Sequence, residues 1–272
     1  MPESTTDAHR RLSRVELAAV FAHGGVAEAY AERPPYPEAV FDTLETLLVA
    51  EPRVVLDLGA GEGALARPLA GRVDRVDAVD VSEAMIARGR TRPGGDRPNL
   101  RWLLGSAEEV ELAGPYGLAT AGASLHWMDL ERVSERMLEV LDDGAFLAIV
   151  EHGHVDLAWQ AGLQEVIVRH TRNLEFRSDE SVVETLVRRE LFEQVGELET
   201  ATEVVRQPVE GYVEHFYSTA SLAREHMSEA EAQAFSSAGR ELVAPYATEG
   251  VLELSVRARV TWGRPLRRTR RG

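Results

Sequence analysis

The sequence contains no cysteine, which removes disulfides, thiolate nucleophiles, cysteine zinc sites and iron–sulfur ligation from consideration. Lysine is missing too: all 30 basic residues are arginine. A G-x-x-x-x-G-K phosphate loop and a lysine Schiff base are therefore excluded. Arginine at the complete expense of lysine is better explained by a GC-rich genome than by function. No apolar run approaches the roughly 20 residues of a membrane span, and no signal peptide opens the chain. The expectation is a cytoplasmic protein with no membrane partner. Positive charge is scarce overall, with a net charge of −15 when His is neutral. Such a surface repels nucleic-acid backbones, so no nucleic-acid partner is expected. The local exception is the tail GRPLRRTRRG, carrying Arg264, Arg267, Arg268, Arg270 and Arg271, which reads as a solvated terminus.

What is present is an ordinary globular composition, 44% hydrophobic and 28% charged over 272 residues, enough for one core domain with a smaller cap. Residues 1–14 have few apolar anchors and read as a flexible N-terminus. Helical spacing follows at 15–32 and 37–50, broken by RPPYP, whose prolines force an extended turn. VVLDL at 54–58, RVDAVDV at 75–81, LRWLL at 100–104, LATAGASLH at 118–126 and GAFLAIVEH at 144–152 read as strands. SEAMIARGR at 82–90, with a Ser N-cap, and DLERVSERMLEVL at 129–141 read as helices. Apolar strands alternating with helices imply a doubly wound α/β architecture, a parallel sheet covered on both faces, with its ligand crevice at the strands' carboxyl ends. The core is expected over 15–152. A mainly helical cap spans 153–250, holding one core strand near 198–207. A final core strand covers 251–263, and a basic tail 264–272.

The chemistry concentrates in VVLDLGAGEGAL. Asp57 ends the first strand, and Gly59, Gly61 and Gly63 follow in a D-x-G-x-G-x-G series. Glycines permit a sharp turn and close approach of a ligand to the backbone, but dinucleotide enzymes use the same device. The carboxylate decides between them: it repels pyrophosphate and attracts an ammonium, and S-adenosylmethionine (SAM) carries an amino group and a sulfonium with no phosphate. Asp80, ending the second strand, can accept from both hydroxyls of a ribose, with Val81 and Met85 flanking the adenine.

The series VVLDLGAGEGAL, VDAVDVSEAMIARGR, LRWLLGSAEEV, ASLHWMD and LDDGAFLAIVEHG resembles the class I SAM-dependent methyltransferases. Within them it is most similar to the type-11 group that includes trans-aconitate methyltransferases, enzymes of small molecules and, in GC-rich bacteria, of natural products. The likeness covers about residues 20–152 and implies a Rossmann-like, seven-stranded sheet, mainly parallel with its last strand antiparallel. It implies that Asp57, Gly59, Ala60 and Gly61 contact the methionine end of SAM and that Asp80 holds the ribose. Ala107 would offer its N–H to adenine beside Ser106 and Glu108, and Ala123 would join the cofactor site. Many relatives have Asp where this chain has Ser106. Tyr30 and Arg33, in AEAYAERPPYP, would reach the SAM carboxylate. Pro68 falls early in the helix after the glycines and should leave it short or bent.

On the acceptor side, His126 in SLHWMD and His152 in EHGH are the candidate general bases. Trp127 reads as a pocket wall, and His215, Phe216 and Tyr217 of VEHFYSTAS as acceptor-pocket rings. Glu151, His152 and His154 lie too close in sequence to converge on one ion without a distant ligand, so no metal is expected. The reading is an enzyme moving a methyl group from SAM to oxygen or nitrogen of a small-molecule acceptor. S-adenosylhomocysteine (SAH) would be the product, and a homo-oligomer remains open. Its alternative is a SAM-binding protein of the same fold that transfers nothing.

Overall fold

The computed structural model describes residues 24–48, 51–171 and 181–267. The segment 1–14, the start of the helical stretch 15–32, and Arg268, Arg270 and Arg271 lie outside them. The helices are α1 (Gly24–Tyr30), α2 (Glu38–Thr46), α3 (Ala66–Leu69), α4 (Glu83–Thr91), α5 (Leu130–Val140), α6 (Gln160–His170), α7 (Val182–Arg188), α8 (Val209–Glu214) and α9 (Glu229–Val243). The strands are β1 (Val54–Leu58), β2 (Arg75–Asp80), β3 (Leu100–Leu104), β4 (Tyr116–Gly122), β5 (Leu141–Val155), β6 (Phe192–Glu199), β7 (Glu203–Pro208) and β8 (Val251–Pro265). They form one sheet in the order β3-β2-β1-β4-β5-β8-β6, with β7 also paired to β8. The pairs among β1 to β5 are parallel, and β6 runs antiparallel to β8. The chain winds outward from β1 to β3 and then returns to lay β4 on the other side of β1. The strand order therefore reverses between β1 and β4, where an open α/β sheet presents its crevice.

Period-two alternation sorts the strands' side chains into two apolar layers. Val55, Val76, Ala78, Leu118, Ala148 and Val150 pack with Phe41 and Leu44 of α2 and Leu69 of α3. Val54, Leu56, Leu58, Val79, Ala119, Leu147 and Ile149 pack with Leu130, Val133 and Met137 of α5. β1 is buried at every position, which is why it reads as a continuous apolar run rather than an alternating one. Truncating one of these fully buried leucines would cost about 2–5 kcal/mol.

Among the described residues the sheet keeps the expected mainly parallel arrangement, seven strands on one path with β7 added beside β8. Several expectations change. The expected strand near 198–207 is two, β6 and β7. FEQVGELE, the β6 sequence, is exposed at most of its positions, so it lacks the apolar alternation that reveals a strand. β4 ends at Gly122, because Ala123 takes a left-handed backbone (φ +48°), and Leu125–Trp127 forms a 3₁₀ turn instead of continuing it. The helix after the glycines has only the four residues Ala66–Leu69, in keeping with Pro68 inside it.

The described residues form two compact units, one within Pro34–Val155, Glu180–Glu203 and Val256–Gly272, the other within Met1–Arg33, Asp156–Asp179 and Val204–Ser255. The expected cap over 153–250 thus divides. Val183 and Leu186 of α7, with Leu191 and Phe192, pack in the α5-side layer of the sheet unit. The other unit is built on α6, α8 and α9. Trp159, Leu163, Tyr212, Tyr217, Phe235 and Val243 share its core with Leu252 and Leu254 of β8.

Candidate active site

β1 delivers Asp57 to its carboxyl end on the α2 side, the same face as Val55. The residue is 1% exposed. Its Oδ1 accepts from Thr120 Oγ at 2.8 Å, while Oδ2 is sealed from solvent with no hydrogen-bond partner. Burial pushes its pKa up from 3.8 to about 7. The Thr120 hydroxyl and the Ala66 amide oppose that rise, and the like charge of Asp80 adds to it. A buried carboxylate oxygen left unsatisfied is costly in any fold, so a cationic ligand is the natural partner for it.

The turn beyond Asp57 is shaped for close approach. Gly59 has φ +63°, and a Cβ there would come within 2.6 Å of the Ser124 Cβ. Ser124 is fixed in turn by its Oγ, which donates to Leu58 O at 2.6 Å. Gly61 has φ +58° and donates its N–H to Asp80 Oδ2 at 2.7 Å. Asp80 Oδ1 accepts from the Ser82 amide at 2.8 Å, and burial raises the pKa of this carboxyl as well. Each oxygen thus accepts one backbone N–H. A carboxylate accepts about four hydrogen bonds in all, so capacity remains for two ribose hydroxyls.

Val81 is 63% exposed beside Asp80, and so is Leu104 (56%) at the end of β3, in register with Asp80. Two exposed apolar side chains on adjacent strand ends suit a flat ring. The sequence reading named Val81 and did not name Leu104, whose only signal was an apolar residue closing a strand. Met85, expected to flank the ring with Val81, is buried instead. A Cβ at Gly61 would lie 3.2 Å from its Cε, so it backs the glycine turn. Ala107 is buried, and Gly105, just before Ser106, ties the loop to β2 by donating to Asp80 O at 2.9 Å. Glu108 accepts the Asp129 amide at 2.9 Å, so its carboxylate anchors the start of α5. Asp129 itself caps that helix.

The candidate bases are distinguished by their partners. His126 and Trp127 sit on the 3₁₀ turn after β4, ring centroids 4.9 Å apart. His152 Nε2 lies 2.9 Å from Pro34 O. A carbonyl only accepts, so this nitrogen carries the proton. The ring also stacks on Tyr36 at 4.0 Å. His152 therefore holds the RPPYP segment to the end of β5. Burial, with His152 nearby, pushes His154 down to about 4. Among the described residues no three His, Asp or Glu side chains form a group that could hold a metal ion.

Tyr30 and Arg33 meet in the helical unit. Arg33 Nη1 donates to Tyr30 OH at 3.0 Å, and its guanidinium lies 4.0 Å over that ring. Its Nε and Nη2 donate to Ser218 Oγ and O at 2.7 and 3.1 Å. Tyr217, expected to line the acceptor pocket, is 1% exposed. Its hydroxyl is spent on Ala232 O and Ser236 Oγ, which makes it a core residue. His215 and Phe216 stack on each other at 3.9 Å, and Phe216 packs against the same core.

Residues 55–144, about a third of the chain, match a protein family described as a methyltransferase domain. An uncharacterised methyltransferase of Mycobacterium tuberculosis is 34% identical over 160 residues, covering 58% of this chain and 62% of that protein. The match thus spans about three fifths of the length of this curated relative. A candidate type II methyltransferase from Anaeromyxobacter dehalogenans is similar in structure, with a TM-score of 0.63 and 25% identity over 85% of this chain and 96% of the other. The fold is also that of a SAM-dependent methyltransferase from Geobacter sulfurreducens, solved with SAH. The TM-score there is 0.51 and the identity 17%, over 94% of this chain and 99% of the other. Among the described residues no helix is long and apolar enough to cross a membrane.

Proposed function

We propose that the protein is a SAM-dependent methyltransferase acting on oxygen or nitrogen of a small-molecule metabolite, in the manner of the type-11 group. The observation that carries this is the partnerless Asp57 Oδ2, beside a left-handed glycine turn at the point where the strand order reverses. The methyltransferase-domain match over the same residues supports it. Asp57 accepts from the ligand's ammonium, Asp80 from the ribose hydroxyls, and Val81 with Leu104 cover the adenine, to which Ala107 offers its N–H. When bound, SAM supplies an electrophilic methyl group on a sulfonium.

The chain's own task is to align the acceptor with that group and to exclude water, since charge disperses during an in-line displacement. His126, on the 3₁₀ turn after β4, is a candidate base for a hydroxyl acceptor; His152, whose Nε2 donates to Pro34 O, could act as a base only through Nδ1. An amine or carboxylate acceptor needs little or no base. A dinucleotide would set its pyrophosphate against Asp57. Isothermal titration with SAH, SAM and NAD tests the reading: the adenosyl amino acids should bind and NAD should not. Labelled methyl appearing in no candidate acceptor, despite SAM binding, would favour a protein that binds without transferring.

A further inference from the structure

β1 and β4 run parallel with Asp57 opposite Thr120 in the register, and both side chains fall on the α2 face. Thr120 is fully buried. Its Oγ donates to Asp57 Oδ1 at 2.8 Å and lies at a marginal 3.5 Å from Leu56 O. Carboxylates rotate easily about their last torsion, which has broad and roughly two-fold preferences. A donor fixed on one oxygen sets where the other points. The groups acting on Asp57 from the neighbouring elements are Asp80 on β2, of like charge, and the Ala66 amide on α3. Neither is a side-chain donor.

We propose that Thr120 is a positioning residue for cofactor binding, its hydroxyl fixing the plane of the Asp57 carboxylate so that Oδ2 meets the ligand's ammonium. This rests on the methyltransferase reading. The hydroxyl serves the ionised carboxylate as well as its orientation, because hydrogen bonds to a charged acceptor are the stronger kind. Its removal therefore acts most where Asp57 must give up its proton to bind.

The test is calorimetric titration of the full chain with SAH from pH 5.5 to 9, comparing wild type, Thr120→Val and Thr120→Ser. The near-isosteric Val variant should bind roughly 10- to 100-fold more weakly at pH 7. The pH at which its affinity levels off should move upward, and Ser should restore both properties to within about threefold. Should the Val variant fail to fold by circular dichroism, Thr120→Cys replaces it, a weaker donor with a smaller effect of the same sign. Affinity and pH profile equal to wild type overturn the proposal. So does a loss that is uniform with pH and not recovered by Ser, which marks a merely structural role. Wild type failing to bind SAH overturns the methyltransferase reading itself, and this proposal with it.

Discussion

Asp57 and Asp77 are both buried aspartates on adjacent strands, 1% and 0% exposed; in each, one oxygen accepts a hydroxyl and the other has no hydrogen-bond partner, and they differ in the charges that surround them. Asp77 sits opposite Leu56, one step short of Asp57 and on the opposite face of the sheet. Tyr116 OH donates to it at 2.7 Å, and Arg75 and Arg101 pair with it at 3.4 and 3.6 Å. Asp57 has one hydroxyl donor as well, but the charge acting on it is the like charge of Asp80 rather than an arginine. Burial alone therefore does not mark a functional carboxylate. A burial cost that no opposite charge within the fold offsets does.

The sharpest way to break this contrast is to neutralise each residue. Asp57→Asn should weaken SAH binding by at least about 100-fold, the order expected when a desolvated charge pair loses a partner. The same change should stabilise the unliganded protein by about 1–3 kcal/mol at pH 8, because it removes a buried, poorly partnered charge. Asp77→Asn should do the reverse, lowering stability by about 1–3 kcal/mol and leaving SAH affinity within about twofold. Paired denaturant melts and titrations check both. If Asp57→Asn kept its affinity, the two residues would belong to one class.

A second, smaller effect follows from pH. Between the ordinary value of 3.8 and about 7, folded Asp57 keeps a proton that the unfolded chain has released. The folded state binds more protons there, so the stability of the unliganded protein falls as pH rises through that window and levels off above it. A ligand ammonium favours the ionised form, so SAH affinity should climb with pH up to about 7 and then flatten. Proton release on binding at pH 6, measured in two buffers of different ionisation enthalpy, would confirm it. Uptake or no exchange would place the proton elsewhere.

How far the sequence revealed this depends on what each residue announces. β1 and β3 match the reading residue for residue, because apolar strands bounded by turns carry their own ends. Asp57, the glycines and Asp80 stood out as candidates because a carboxylate at a strand end followed by a glycine series is a local pattern readable without register. Thr120 did not. A threonine inside LATAG fits a strand interior by β-propensity alone, and only the parallel register shows that it faces Asp57. Tyr217 misled for a related reason: an aromatic cluster looks alike whether it lines a pocket or fills a core. The second strand near 198–207 stayed hidden because β6 is held by pairing with β8 while exposing most of its side chains.

The finest test of the comparison separates the partners that satisfy Asp77. Tyr116 is fully buried. Its hydroxyl donates to Asp77 and accepts the Ala113 amide at 3.2 Å, while burial, and then Asp77, hold its pKa well above the usual phenol range. Tyr116→Phe keeps the ring and strands both neighbours, so it should cost about 1–2 kcal/mol. Arg101 reaches Asp77 only at 3.6 Å, with its side chain 46% exposed. Solvent screens such a pair, and Arg101→Ala should change stability by no more than about 0.5 kcal/mol. Neither variant should move SAH affinity. If Arg101 proved the more costly of the two, Asp77 would be held by charge rather than by a buried hydrogen bond. Its quiet burial would then depend on salt, which melts at low and high ionic strength would reveal.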